Sequence, residues 1–120
     1  MPHRSWDLRI QDIVEAIENI LNYTEDMTFE QFCVDRKTID AVVRNLTIIG
    51  EAASNLPDDI TTQYPDIPWR EMRDMRNTIV HEYFGVDLKV VWKTANEHIP
   101  ELKPMIQKVL QDLERNDGAY

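Results

Sequence analysis

The stretch Asp35-Arg36-Lys37-Thr38-Ile39-Asp40-Ala41-Val42-Val43-Arg44-Asn45-Leu46-Thr47-Ile48-Ile49-Gly50-Glu51-Ala52-Ala53-Ser54-Asn55 decides the fold class. Ile39, Val42, Val43, Leu46, Ile49 and Ala53 recur at three- and four-residue steps. At ~100° per residue they share one face of a helix. Ala41, Ile48 and Ala52 fall on the opposite side. A helix that is apolar on two faces is sandwiched between neighbours. The second face can pack on another helix of the same chain. It can also meet a second copy of the chain, where small alanines allow close approach.

Outward from this segment the same period repeats. Ile10, Ile13, Val14, Ile17, Ile20 and Leu21 mark a first helix over roughly Trp6 to Asn22. Thr28 reads as the N-cap of a short turn that buries Phe29 and Phe32. Leu56-Pro57-Asp58-Asp59 ends the helix over 35–55, because the residue before a proline avoids the helical region. A short turn over Ile60 to Gln63 follows. Pro65 and Pro68 bracket a loop, and Pro68 suits the first turn of a third long helix. That helix reaches about Phe84 and stops near Gly85. Asp87 caps the next, which continues to about Glu97, and Pro100 either kinks it or restarts it. The last helix ends by about Arg115, leaving 116–120 as a frayed tail. The expected fold is all-α, an up-and-down bundle of four to five helices in one domain over 1–120.

Composition narrows the class of function. Hydrophobic residues make up 42% and charged residues 29% of 120 residues, as in an ordinary globular domain. Cys33 is the only cysteine, so no intrachain disulfide and no cysteine-based zinc site can form, which suits a reducing cytoplasm. The first residues, Met1-Pro2-His3-Arg4-Ser5-Trp6-Asp7, lack the apolar stretch of a signal peptide. No apolar run approaches the ~20 residues of a membrane span, so no membrane partner is expected. The net charge of −9 argues against coating nucleic acid nonspecifically, because that binding is driven by phosphate neutralisation. It leaves room for a confined basic site, or for a partner that supplies binding charge.

The third long helix carries the chemistry. Trp69, Met72, Met75, Ile79 and Val80 form its apolar side, and Arg73, Asn77 and His81 line up at i, i+4 and i+8 on the polar side. Arg76 and Tyr83 sit seven apart at the edge of the apolar side. An imidazole can move a proton near neutral pH. A guanidinium can hold a phosphate and neutralise developing charge. Together an Arg and a His can cleave RNA without a metal. Arg76 and His81, however, are five residues apart, about 140° around the axis. On one regular helix they cannot grip a single phosphate together. Either the helix distorts before Gly85, or a second copy of the chain completes the site.

The segment Ile67-Pro68-Trp69-Arg70-Glu71-Met72-Arg73-Asp74-Met75-Arg76, continuing through His81-Glu82-Tyr83-Phe84-Gly85, closely resembles the HepT family of the HEPN superfamily. The shared hallmark is Arg, four residues, His, any residue, Tyr, matched here by Arg76, His81 and Tyr83. Further matching blocks are Ile48-Ile49-Gly50-Glu51-Ala52-Ala53, Val91-Trp92 and Ile99-Pro100, so the resemblance runs from about Asp35 to Leu110. It implies a small helical ribonuclease toxin of a prokaryotic toxin–antitoxin pair, with its site at a homodimer interface. It also implies a nucleotidyltransferase antitoxin that transfers AMP onto Tyr83. An attached AMP would place a phosphate beside Arg76 and compete with RNA. No cofactor or metal is implied. Glu51 is the carboxylate expected to hold Arg76 in place, and Asn77 and Arg73 are the expected supporting groups.

Each residue also has a plainer reading. Arg76 can simply pair with a carboxylate such as Glu51. His81 can sit at a helix C-terminus, where a cation is favoured. Tyr83 can be a half-buried aromatic with its hydroxyl in water. Arg70, Arg73 and Arg76 can form a solvated face balanced by Glu71 and Asp74. The combination favours RNA cleavage. The alternatives are a non-catalytic nucleotide- or protein-binding partner of a nucleotidyltransferase, which would not need His81, and a structural adaptor, which would need none of the three.

Overall fold

The computed structural model describes residues 5–82 and 87–118, with side chains at 5–76 and 87–115. Among these residues every regular element is helical. Four long segments carry the bundle: α1 (Trp6–Thr24), α3 (Arg36–Ser54), α5 (Trp69–Glu82) and α7 (Ile99–Gly118). Short helices α2 (Phe29–Cys33), α4 (Asp58–Gln63) and α6 (Leu88–Lys93) connect them. The all-α expectation is met.

Local chemistry explains where these helices start. The Thr28 hydroxyl accepts from the Gln31 backbone N–H at 3.1 Å, and the Gln31 side chain accepts from the Thr28 N–H at 2.9 Å, a closed capping box. Asp35 accepts from the backbone N–H of Thr38 at 3.1 Å and from its hydroxyl at 2.8 Å. These bonds hold the Asp35 carboxyl below its usual range, the backbone N–H contributing most. Asp58 and Asp59 occupy the first turn of α4, where the helix dipole favours negative charge. That helix therefore begins two residues before the expected Ile60.

Packing places α3 between α1 and α5. Val42, Leu46, Ile49 and Ala53 are fully buried, as their period predicts. Ala52, on the other side, is only 2% exposed. Neighbours within the chain thus account for its burial. On the α1 flank the Asn19 amide donates to the Asn45 carbonyl oxygen at 3.2 Å, and the Asn45 amide donates to the Ala41 backbone carbonyl at 2.8 Å. α1 and α7 complete the core with Ile10, Ile13, Ile17, Ile20, Ile106 and Val109. Phe32 is fully buried with its ring centroid 5.1 Å from that of Trp92, whereas Phe29 stays half-buried with its centroid 6.3 Å from that of Trp92.

Two further boundaries, nearer the C-terminus, differ from expectation. The helix after Asp87 does not run unchanged to Glu97: it widens into a π-turn over Thr94–His98 and continues directly as α7. Pro100 lies in the first turn of α7 and Pro104 in its interior, both exposed. Neither ring has an N–H to donate: Pro100 sits just after the wider turn, and Pro104 lies on an exposed side of the helix. At the other end α7 extends through Asn116 and Asp117 to Gly118, past the expected stop at Arg115. Asn and Asp are weak but permitted helix residues, and the glycine comes last. The expected end of α5 near Phe84 and Gly85 lies outside the described residues. No helix among the described residues is long and apolar enough to cross a membrane.

Candidate functional site

Gly50 brings the site together. A Cβ built on Gly50 would lie 2.7 Å from both the Cβ and the backbone nitrogen of Arg76, so α3 and α5 meet here backbone to backbone. Only a residue without a side chain permits that approach. One residue further along α3, Glu51 turns its carboxylate onto Arg76, with Nη1 to Oε2 at 2.7 Å. The pair is open to water, with 38% of the Arg76 side chain and 54% of the Glu51 side chain exposed. An ion pair that exposed contributes at most ~1 kcal/mol to stability. Its consequence is therefore positional: it fixes one end of a partly exposed guanidinium.

The electrostatics agree with that role. The Arg76 hydrogen bond is the largest cause holding the Glu51 carboxyl below its usual range, and the charge of Arg9 on α1 adds to it. Glu51 is thus a firm anion at neutral pH beside two arginines. Arg73, one turn earlier on α5, is half-buried, and Arg70 is exposed.

Of the residues singled out in the sequence, the structure brings Arg76 and Glu51 into contact and places Arg73 on the same helix. Asn77 and His81 belong to α5, whose α-helical backbone is continuous from Trp69 to Glu82. Their side chains, and the whole of Tyr83, lie outside the described residues. A regular helix sets Arg76 and His81 about 7.5 Å apart along the axis and on different sides of it. No distortion between them draws them together on one chain.

A largely apolar groove lies elsewhere, between α5 and the α6–α7 segment, with a volume of about 540 Å³. Met72, Met75, Leu102 and Met105 line it, and Asp66, Glu71, Asp74 and Glu101 stand around it. That acidic rim repels phosphate, and neither Glu51 nor Arg76 lines the groove. No group of three metal-ligating side chains occurs among the described residues. Sequence reading missed both this groove and the backbone contact at Gly50. A glycine inside a strongly helical stretch was the available signal for the contact, since it costs about 1 kcal/mol relative to alanine without a packing reason.

Comparison with known proteins places the chain. Residues 13–109 match the family model described as Ribonuclease HepT-like. "Probable ribonuclease HepT" of Thermococcus cleftensis is 51% identical over 106 residues, which cover 88% of this chain and 96% of that relative. "Putative RNase MJ1216" of Methanocaldococcus jannaschii is 42% identical over 117 residues, 98% of this chain and 97% of the relative. "Putative RNase TTE0752" of Caldanaerobacter subterraneus subsp. tengcongensis is 36% identical over 102 residues, 85% and 91% of the two chains. No solved structure matches. The chain belongs to the Ribonuclease HepT-like family.

Proposed function

We propose that this protein is a metal-independent endoribonuclease toxin of a type VII-like HEPN/MNT toxin–antitoxin pair, acting in the cytoplasm. The single observation that carries the reading is the Glu51–Arg76 pair, which tethers a partly exposed guanidinium on the helix that bears His81. The family's ribonuclease names support the same reaction class.

In the proposed reaction a 2′-hydroxyl oxygen of RNA bonds to the adjacent phosphorus as the bond from phosphorus to the 5′-oxygen breaks. His81 acts as general base or acid in that proton traffic. Arg76 holds the phosphate and stabilises the charge gathered on its oxygens. The products carry a 2′,3′-cyclic phosphate and a 5′-hydroxyl. Asn77 orients the imidazole or the scissile phosphate. Because continuous helix separates Arg76 from His81, each phosphate is served by Arg76 of one protomer and His81 of its partner in a homodimer. Tyr83 is the site at which a nucleotidyltransferase antitoxin adds AMP, silencing the nuclease by occupying the Arg76 site.

The test is cleavage of single-stranded RNA by purified, unmodified protein in excess chelator, with His81→Ala prepared in parallel and the product ends identified. Cyclic-phosphate ends that disappear in the variant support the reading. Equal activity in both proteins, or none in either, sinks it. The net charge of −9 favours one second reading, a non-catalytic binding partner of a nucleotidyltransferase. That reading predicts nucleotide binding sensitive to Arg76→Ala and indifferent to His81→Ala.

A further inference from the structure

We propose that Arg73 and Arg70 form a phosphate track leading one RNA strand away from Arg76 to a distal subsite at the α4–α5 junction. The inference rests on the ribonuclease reading and adds its substrate class: single-stranded RNA with further phosphates on one side of the cut.

Arg70, Arg73 and Arg76 stand at i, i+3 and i+6 on α5. They climb about 9 Å of helix axis and turn about 60° at each step. Arg76 is tethered by Glu51, while neither Arg70 nor Arg73 is paired with a carboxylate among the described residues. Both line a shallow, open concavity of about 420 Å³, whose far wall carries Thr61 and the exposed Thr62. Glu71 is the single carboxylate among the residues lining it. The groove between α5 and the α6–α7 segment has four, Glu71 being shared by the two. The two concavities therefore offer unequal environments to a polyanion, and the one lined by Arg70 and Arg73 is the more favourable. A duplex would bring a second row of phosphates against a chain of net charge −9. A single strand needs only a line of cations, and guanidiniums suit phosphate oxygens.

The test is binding of an uncleavable 2′-O-methyl octanucleotide, single-stranded or in a duplex, followed by fluorescence anisotropy over a salt series. The proteins are wild type, Arg70→Ala, Arg73→Ala and Lys108→Ala. Lys108, exposed on α7, controls for loss of one positive charge. Each arginine variant should flatten the slope of log K against log salt by about 0.7, the value for one single-strand phosphate contact. Affinity should fall roughly fivefold, the upper end for an exposed pair. Lys108→Ala should change neither. Slopes unchanged in Arg70→Ala, a loss equal to that of Lys108→Ala, or tighter binding of the duplex would overturn the track. Thermal melts of each variant separate these results from misfolding. Failure of the two readings is distinguishable. Altered slopes with no cleavage by wild type would sink the nuclease alone, and cleavage with unaltered slopes would sink the track alone.

Discussion

Gly50 and Arg76 hold α3 and α5 in backbone contact, with room for no side chain between them. The contact sets the distance from which Glu51 reaches the guanidinium. Gly50→Ala tests it. In an open helix this change would stabilise by about 1 kcal/mol. Here the new methyl meets a backbone nitrogen at 2.7 Å and cannot be avoided by rotating a side chain. Overpacking of that kind costs about 1–3 kcal/mol, so the net effect is destabilising. Denaturant unfolding should show a lower midpoint at unchanged slope. RNA cleavage should fall as Arg76 is displaced.

Glu51→Gln keeps the shape and removes the charge. Stability at pH 7 should change by less than ~1 kcal/mol, because the pair is exposed. The Arg76 bond holds the Glu51 pKa below its ordinary value in the folded protein. Its contribution is therefore present above the unfolded pKa, near 4.5, and is lost as pH falls through the folded value. The wild-type advantage over Glu51→Gln should vanish in acid unfolding below that window. Cleavage should drop by about tenfold or more, since a misplaced phosphate clamp is costly out of proportion to its stability. An unchanged kcat would make the pair structural.

Tyr64 ties the α4–α5 loop to α7. Its hydroxyl donates to Asp112 Oδ2 at 2.8 Å, and burial followed by this bond raises its pKa from 10.0 to about 12. A raised folded pKa means that the unfolded chain loses the proton first as pH rises. Stability from this group is complete below pH 10.0 and falls between there and about 12. The melting temperature should decline over that window more steeply in wild type than in Tyr64→Phe. At pH 7 the variant should lose on the order of 1 kcal/mol for the hydrogen bond.

Much of this was legible in the sequence for definite reasons. The apolar period of α1 and α3 fixes which faces are buried, and Ile13, Ile17, Val42 and Leu46 are buried accordingly. Arg76 and Glu51 could be paired on paper because both stand in the motif blocks. Asn45 could not be anticipated as buried: a polar residue is placed inside only by a partner, and Asn19 is 26 residues away. The π-turn at Thr94–His98 left a weaker trace. Pro100 announces a disturbance without saying whether the helix breaks, kinks or widens. The acidic groove arises from α5 and α7 meeting loosely, which no local pattern encodes.

Modification should map to a single hydroxyl. Incubation with ATP and a cognate nucleotidyltransferase should add one AMP to wild type and none to Tyr83→Phe, read by intact-protein mass. Tyr83→Phe should keep its cleavage activity in the presence of the partner. Modification elsewhere would remove Tyr83 from the account.

The central claim is that Arg76 and His81 from different protomers make one site, and subunit mixing tests it most directly. Arg76→Ala and His81→Ala should each be inactive alone. Mixed in equal amounts and allowed to exchange, half the dimers become heterodimers, each with one intact site of two. Activity should recover to about a quarter of wild type. Mixtures that stay as inactive as their components, although heterodimers form, would contradict the shared site.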